Sequence, residues 1–399
     1  MGRLPPGLAL AATWVALSVL AVSPVGAASP NTVLALDTGN VGRYSSLELD
    51  GRSRPVVSYF DAANSALKLA RCADRRCTVV HRATLDPADV GGDTSLALDA
   101  TGRPIVSYYF GDLDLQTGDL RVAGCPRPAC DGTPPRISAP DRAGFTGIGT
   151  SIVLDEAGNP VVSYVSIDDG LHVLHCGNPR CTGGNVITPI DPETYGVGTS
   201  VALDVDGNPV VAYASFAGLR VAHCADPICS AGTTIQTPAS MGSFGWQGGA
   251  RLALDSAGRP VVSFFVWDAS GASLNVLRCG DPSCTSGNLV RELDSDVLVA
   301  GRSTPLDTDV VVGASSSIAL DAADDPVLAY AGASAPGLRV LRCASADCSS
   351  GFTVTTPDPG VDVLDPSMVL DPSGRPLVSY AAEGELRLLR CSTADCSSP

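Results

Sequence analysis

The sequence predicts an all-β chain: a seven-bladed β-propeller with four antiparallel strands per blade. Three observations carry this reading: a unit repeated seven times, strand-like alternation inside it, and chain ends that complement each other. The unit reads S-x-x-L-D-x-x-G-x-P-V-V-S-Y, a short variable stretch, then L-R-V-L-R-C-x-x-x-x-C, with its clearest copy at Ser367–Cys391. Its aspartates are Asp50, Asp99, Asp155, Asp204, Asp255, Asp321 and Asp371. They stand about fifty residues apart, the size of a propeller blade.

Each element has a local cause. In Ser95-Leu-Ala-Leu-Asp99 the apolar residues alternate, as a half-buried strand requires. Asp99-Ala-Thr-Gly102 is turn chemistry, because Asp bonds nearby backbone and Gly takes positive φ. Pro104-Ile-Val-Ser-Tyr108 is β-branched and aromatic, and its proline opens the strand where a missing N–H costs least. Leu338-Arg-Val-Leu-Arg-Cys343 is a third strand, and C-x₄-C is the turn into a fourth, with its two cysteines expected to face each other across the hairpin mouth. Fourth strands are expected from Thr78, Asn185, Thr234, Asn288 and Phe352. The seventh unit stops short of its fourth strand, whereas Asn31-Thr-Val-Leu-Ala-Leu36 is an orphan strand at the other end. Thr32–Asp50 aligns without a gap on Thr353–Asp371, so the N-terminal strand should complete the last blade and remove an open edge.

Met1–Ala28 has one early charge, an apolar run from Leu8 to Val22, and small residues before Ala28, the pattern of a secretory signal peptide. The expected organisation is a leader over 1–28 and one circular domain over 29–399, with no membrane span after cleavage. Export makes disulfides the expected fate of the 14 cysteines. They pair as Cys72/Cys77, Cys125/Cys130, Cys176/Cys181, Cys224/Cys229, Cys279/Cys284, Cys343/Cys348 and Cys391/Cys396. A net charge of −16 lacks the basic footprint that phosphate backbones need, so nucleic acid is excluded as a partner. A monomer is expected, secreted or extracytoplasmic, in the periplasm or at the cell surface.

The unit around Ile318-Ala-Leu-Asp-Ala-Ala-Asp-Asp-Pro-Val resembles the repeats of secreted bacterial propellers. It is similar to NHL-type repeats and, more distantly, to the Asp-box (BNR) repeats of sialidase-like proteins. The likeness covers nearly all of the chain after the leader and implies a scaffold. It carries over no catalytic residue, since no arginine triad or Tyr/Glu pair maps onto numbered positions here.

The repeat aspartates, present in all seven copies, read as turn formers of the scaffold, and Ser-Tyr pairs such as Ser58-Tyr59 and Ser379-Tyr380 read as blade packing. His175 and His223 hold the place of Arg71, Arg278, Arg342 and Arg390, which marks them as strand residues rather than metal ligands. His172 and His175 fall on opposite strand faces. Function is expected where symmetry breaks, on the loops of one face, the longest being Leu293–Ser316. Tyr195, Phe244, Trp246 and Trp267 are the candidate ligand-binding residues, since exposed aromatics stack on sugar rings or anchor a protein. The same loops carry Asp112, Asp114, Asp168, Asp169, Asp191, Glu193, Asp294, Asp296, Asp307 and Asp309. No organic cofactor and no defined metal site is expected, although calcium suits such carboxylates. The expected role is binding of an extracellular glycan or protein, with a polysaccharide lyase or glycoside hydrolase on the same acidic face as the alternative.

Overall fold

The computed structural model describes residues 1–2, 30–87, 90–112, 117–194, 198–215, 217–240, 249–268, 271–297 and 315–397. Residues 3–29, which hold most of the expected leader and its cleavage region, therefore lie outside the described residues. Seven four-stranded antiparallel sheets follow one another as blades of a propeller. Blade 1 comprises Val41–Leu49, Pro55–Asp61, Ala66–Cys72 and Val80–Asp86. In every blade the first strand is innermost, and the seven first strands pack against their neighbours around the ring.

The ring closes as the chain ends require. Thr32–Thr38 pairs antiparallel with Glu385–Arg390, the third strand of blade 7. Asn31 pins the seam further, donating from Nδ2 to the Cys396 carbonyl and accepting at Oδ1 from the Ser392 N–H.

The core is distributed over the seams. One cluster gathers Val41, Leu47, Val57 and Tyr59 of blade 1 with Leu36, Leu377, Leu386 and Leu388 of blade 7. The next joins Leu67 and Leu69 of blade 1 to Leu96, Val106 and Tyr108 of blade 2. Second strands are covered on both faces, which explains why they read as apolar runs rather than alternations.

Three sets of polar ties repeat around the ring. The repeat aspartate builds an Asx turn: Asp50 Oδ1 accepts from the Arg52 and Arg54 N–H groups at 2.9 and 3.0 Å. It also holds the cation at the end of the third strand, where Arg71 reaches Asp50 at 2.5 Å and continues to the Gly102 and Pro128 carbonyls of the next blade. His175 and His223 do the same work on Asp155 and Asp204, at 3.2 and 2.9 Å, as their sequence position implies. His172 is buried, with its ring stacked on Tyr164.

At the other end of the blade, the Ser-Tyr tyrosine reaches across the seam. Tyr108 donates to Asp86, Tyr164 to Asp141, and Tyr213 to Asp191, each at 2.6 to 2.8 Å. A third-strand cation completes the tie, as Arg220 does on Asp191 and Arg339 on Asp294. Two acidic residues expected on open loops, Asp191 and Asp294, are thus seam residues. Burial alone would raise the Asp191 carboxyl, but the Arg220 guanidinium and Tyr213 hydroxyl outweigh it and hold it low. Hydrogen bonds from Ser334 and Arg339 hold Asp296 lower still, at about 2.

All seven expected cysteine pairs are bridged: Cys72–Cys77, Cys125–Cys130, Cys176–Cys181, Cys224–Cys229, Cys279–Cys284, Cys343–Cys348 and Cys391–Cys396. The placement of the second cysteine, however, corrects the sequence-based expectation. Cys77, Cys130, Cys181, Cys229, Cys284 and Cys348 do not face the first cysteine across the hairpin ladder. Each stays inside the turn, in the left-handed region with φ of 50° to 54°, and Cys396 does the same. The ladder opens only beyond them, where Cys72 lies opposite Val80 and Cys343 opposite Phe352.

The physical reason is a tight turn that the spacing of cysteines does not reveal. The Cys77 N–H donates to the Asp74 carbonyl, Cys130 to Arg127, Cys181 to Asn178, Cys229 to Asp226, Cys284 to Asp281 and Cys348 to Ser345. In four blades an Asx turn reinforces this bond, as when Asp74 Oδ1 accepts from the Arg76 and Thr78 N–H groups. The chain thus reverses before the fourth strand begins, which delays that strand in blade 1 from Thr78 to Val80.

Candidate functional site

Residues four to six places before the repeat aspartates, on the first strands, line a cavity of about 180 Å³ at one mouth of the central channel. Four residues before the repeat aspartate stands a serine in six blades: Ser46, Ser95, Ser151, Ser200, Ser317 and Ser367. Each accepts a hydrogen bond from a backbone N–H of the following blade, 2.9 to 3.2 Å away, as Ser46 does from Leu96 and Ser367 from Leu47. These clasps stitch the inner ring, at about 0.5–1.5 kcal/mol apiece. In blade 5 the place is taken by Arg251, whose side chain lines the cavity instead.

A second column, five residues before the aspartate, meets the serine of the Ser-Tyr pair across the seam. Ser58 bonds Thr94 at 2.8 Å, Ser163 bonds Thr199 at 2.7 Å, and Ser263 bonds Ser316 at 2.8 Å. Blades 4 and 6 carry Ala212 and Ala329 in place of that serine, and their partner positions are Ala250 and Pro366. Both hydroxyls are absent together, so neither is left buried and unpaired.

The third column, six residues before the aspartate, is the outermost at the mouth. Glycine occupies it in blades 3, 4 and 5, and Gly149 has φ of 59°. Tyr44, Asp93 and Asp365 share this left-handed conformation, at 53°, 47° and 49°. Side chains there are strained, and such strain is tolerated where the surroundings over-determine it. Asp93 accepts from the Gly149 N–H at 2.9 Å, and Asp365 from the Tyr44 N–H at 2.8 Å. Burial pushes the Asp93 carboxyl up to about 6, and the neighbouring Asp365 carboxylate adds to the rise. Burial likewise raises Asp365 and the Tyr44 phenol, and it lowers Arg251, which the two carboxylates partly restore. The mouth therefore combines hydroxyl-rich walls, one cation, one phenol and two carboxyls, one of them able to exchange a proton near neutral pH.

Sequence reasoning looked for broken symmetry in the loops and missed these four residues. The signal was present, since each departs from its column. Of the aromatic candidates, Trp267 lies on the second strand of blade 5, opposite Ala272 and half-buried. Tyr195, Phe244 and Trp246 lie outside the described residues, as do Asp114, Asp307 and Asp309. Among the described residues, no group of three or more His, Cys, Asp or Glu could hold a metal ion.

Two positions past the serine column, Glu48 stands where four sister repeats have Ala97, Ala202, Ala253 and Ala319. Burial pushes its carboxyl from 4.5 up to about 7. The folded state then holds a proton that the unfolded chain has released, so stability falls as pH rises from 4.5 through 7. Glu48→Ala is expected to add on the order of 2 kcal/mol at pH 8 and little at pH 4.5. Urea titrations at the two pH values check it; equal gains at both would mean that the charge is not the cause.

No protein-family model and no curated protein matches the chain. Solved structures share its fold. A protein of unknown function from Dyadobacter fermentans superposes with a TM-score of 0.53 at 11% identity, covering 90% of this chain and 97% of that one. NanB sialidase from Streptococcus pneumoniae gives 0.51 at 11%, with 94% and 72% covered. An ulvan lyase of a new polysaccharide lyase family gives 0.51 at 10%, with 91% and 94% covered. At such identities the likeness shows the fold alone, that of a β-propeller, whose seven blades here are the seven sheets of this chain.

Proposed function

We propose that the chain is an exported carbohydrate-binding propeller that takes its ligand at the channel mouth. The observation that carries this reading is the cavity where Tyr44, Asp93, Arg251 and Asp365 replace the repeat's small residues. Hydroxyls, carboxyls and a guanidinium around one small cavity match the dense hydrogen-bonding surface of a sugar, and few convergent polar groups set orientation in such sites. Tyr195 and Trp246 each stand three residues before a mouth glycine, Gly198 and Gly249. With Phe244 and Trp267 they are assigned the stacking role. Seven disulfides suit an oxidising, extracytoplasmic setting, with the mature chain starting near Ser29. No helix among the described residues is long and apolar enough to cross a membrane.

A second reading, glycan cleavage, is favoured by one observation. Asp93 titrates at about 6, the range of a general acid or base, in the cavity that Tyr44 and Arg251 also line. A sialidase and an ulvan lyase use the same scaffold, which makes the reading worth an assay.

One variant tests the binding reading. Arg251→Ser restores the repeat residue and its clasp and removes the guanidinium beside Asp93 and Asp365, so it is expected to keep the fold while losing glycan-array retention. Retention unchanged in a stable Arg251→Ser protein would overturn the mouth as the site. Product release abolished by Asp93→Asn would establish the second reading, and absence of any product would dismiss it.

A further inference from the structure

A second cavity lies at the other end of the blades, and it exists because one side chain is missing. The place just before the first cysteine carries a cation or imidazole in six blades, Arg71, His175, His223, Arg278, Arg342 and Arg390; in blade 2 it is Gly124. Arg71 shows what the side chain does, filling the groove between the repeat aspartate and the cysteine turn of the next blade. Arg342 spans its own groove from Asp321 to the Ala394 carbonyl in the same way. At the seam of blades 2 and 3 the groove stays open, with a volume of about 510 Å³. That volume falls in the range of small-molecule sites.

Backbone geometry does not demand this glycine. Gly124 is not among the residues with positive φ, and a Cβ built there would meet nothing nearer than the Arg136 carbonyl at 4.0 Å. The opening is thus a property of the side chain alone.

The charge of the cavity is opposite to that of the protein. Arg103, Arg136 and Arg180 line it against a single carboxylate, Asp99. Asp99 is already bound by Arg103 at 2.6 Å and by its own Asx turn. The Arg136 and Arg180 guanidiniums make no ion pair among the described residues. They stand in different blades, on the fourth strand of blade 2 and in the cysteine turn of blade 3, so they face a ligand from two sides. Ile105 and Pro179 supply apolar wall. In a chain of net charge −16, two uncommitted guanidiniums at one cleft form a local anion trap, effective within the Debye length of about 8 Å at physiological salt.

We propose that this groove binds an acidic saccharide unit, its sulfate or carboxylate held between Arg136 and Arg180 and its ring against Ile105 and Pro179. The chemistry follows from the walls. Guanidiniums recognise planar or tetrahedral oxyanions through paired N–H donors, and the apolar wall suits the C–H face of a pyranose. The site is separate from the channel mouth, because Asp93 lies within an inner strand and Asp99 six residues on, in the turn past its end, up to about 20 Å away. It goes beyond the carbohydrate reading of the mouth and fails or stands independently of it.

Calorimetric titration of the mature chain tests it, using a sulfated chondroitin disaccharide, its unsulfated uronate counterpart and neutral maltose. Binding of the sulfated or the uronate probe without maltose binding is expected, and the stronger of the two identifies the anionic group. Arg136→Ala and Arg180→Ala should each weaken binding about tenfold. Gly124→Arg should abolish it by filling the groove, while Gly124→Ala leaves it unchanged. Each variant is checked by its melting curve. Equal binding of maltose, no binding of either acidic probe, or full binding by folded Gly124→Arg would each overturn the proposal.

Discussion

Deleting residues 30–38 is expected to lower the melting temperature by about 10 °C. The deletion acts through named contacts. Leu36 is 1% exposed in the seam core, and losing a buried leucine costs about 2–5 kcal/mol. Asp37 accepts from the buried Tyr59 hydroxyl at 2.7 Å and from Lys68 at 2.5 Å, so both lose a partner, at about 1–3 kcal/mol. The third strand of blade 7 becomes an open edge, which pairs with other chains. Thermal melts and light scattering on the truncated chain read both effects. An unchanged melting temperature and a strictly monomeric chain would show that closure by the N-terminal strand contributes nothing.

The architecture was legible because each blade is built from local rules. Alternation, a D-x-x-G turn and a strand-opening proline mark two strands without reference to anything distant, and the orphan strand at residues 31–36 marked the closure. Disulfide pairing was legible from spacing, but the geometry of the bridge was not. The turn that starts at Asp74 holds Cys77 off the ladder, and its hydrogen bonds cannot be read from a spacing of cysteines. The seam ties were not legible at all. Asp191 and Asp294 read as loop carboxylates because their partners, Tyr213 with Arg220 and Tyr330 with Arg339, come from the next blade. The mouth lay between these cases. Tyr44, Asp93, Arg251 and Asp365 are visible as departures once the inner strands are stacked column by column, but only the fold shows that those columns line a cavity.

Asp191→Ala is expected to cost about 1–3 kcal/mol, because it leaves the buried Tyr213 hydroxyl without its acceptor and leaves Arg220 with Glu193 alone. The protein contains its own control. At the seam of blades 4 and 5 the position equivalent to Asp191 is Ala239, the tyrosine is Phe264, and the cation is Asn275. All three members of the tie are absent together, Phe264 packs with 0% exposure, and Asn275 bonds Ser273 locally. Removing every partner of a buried polar tie costs far less than removing one. Transplanting the set as Asp191→Ala, Tyr213→Phe and Arg220→Asn should therefore recover most of the stability that Asp191→Ala alone loses. Urea unfolding of the single and triple variants decides it. A triple variant no more stable than the single one would mean that the apolar seam depends on its own blades, and that the three positions are not an interchangeable unit. A recovery would explain how a ring with an Asp–Tyr bond at six seams tolerates a seventh seam without one, directly beside the blade that carries Arg251.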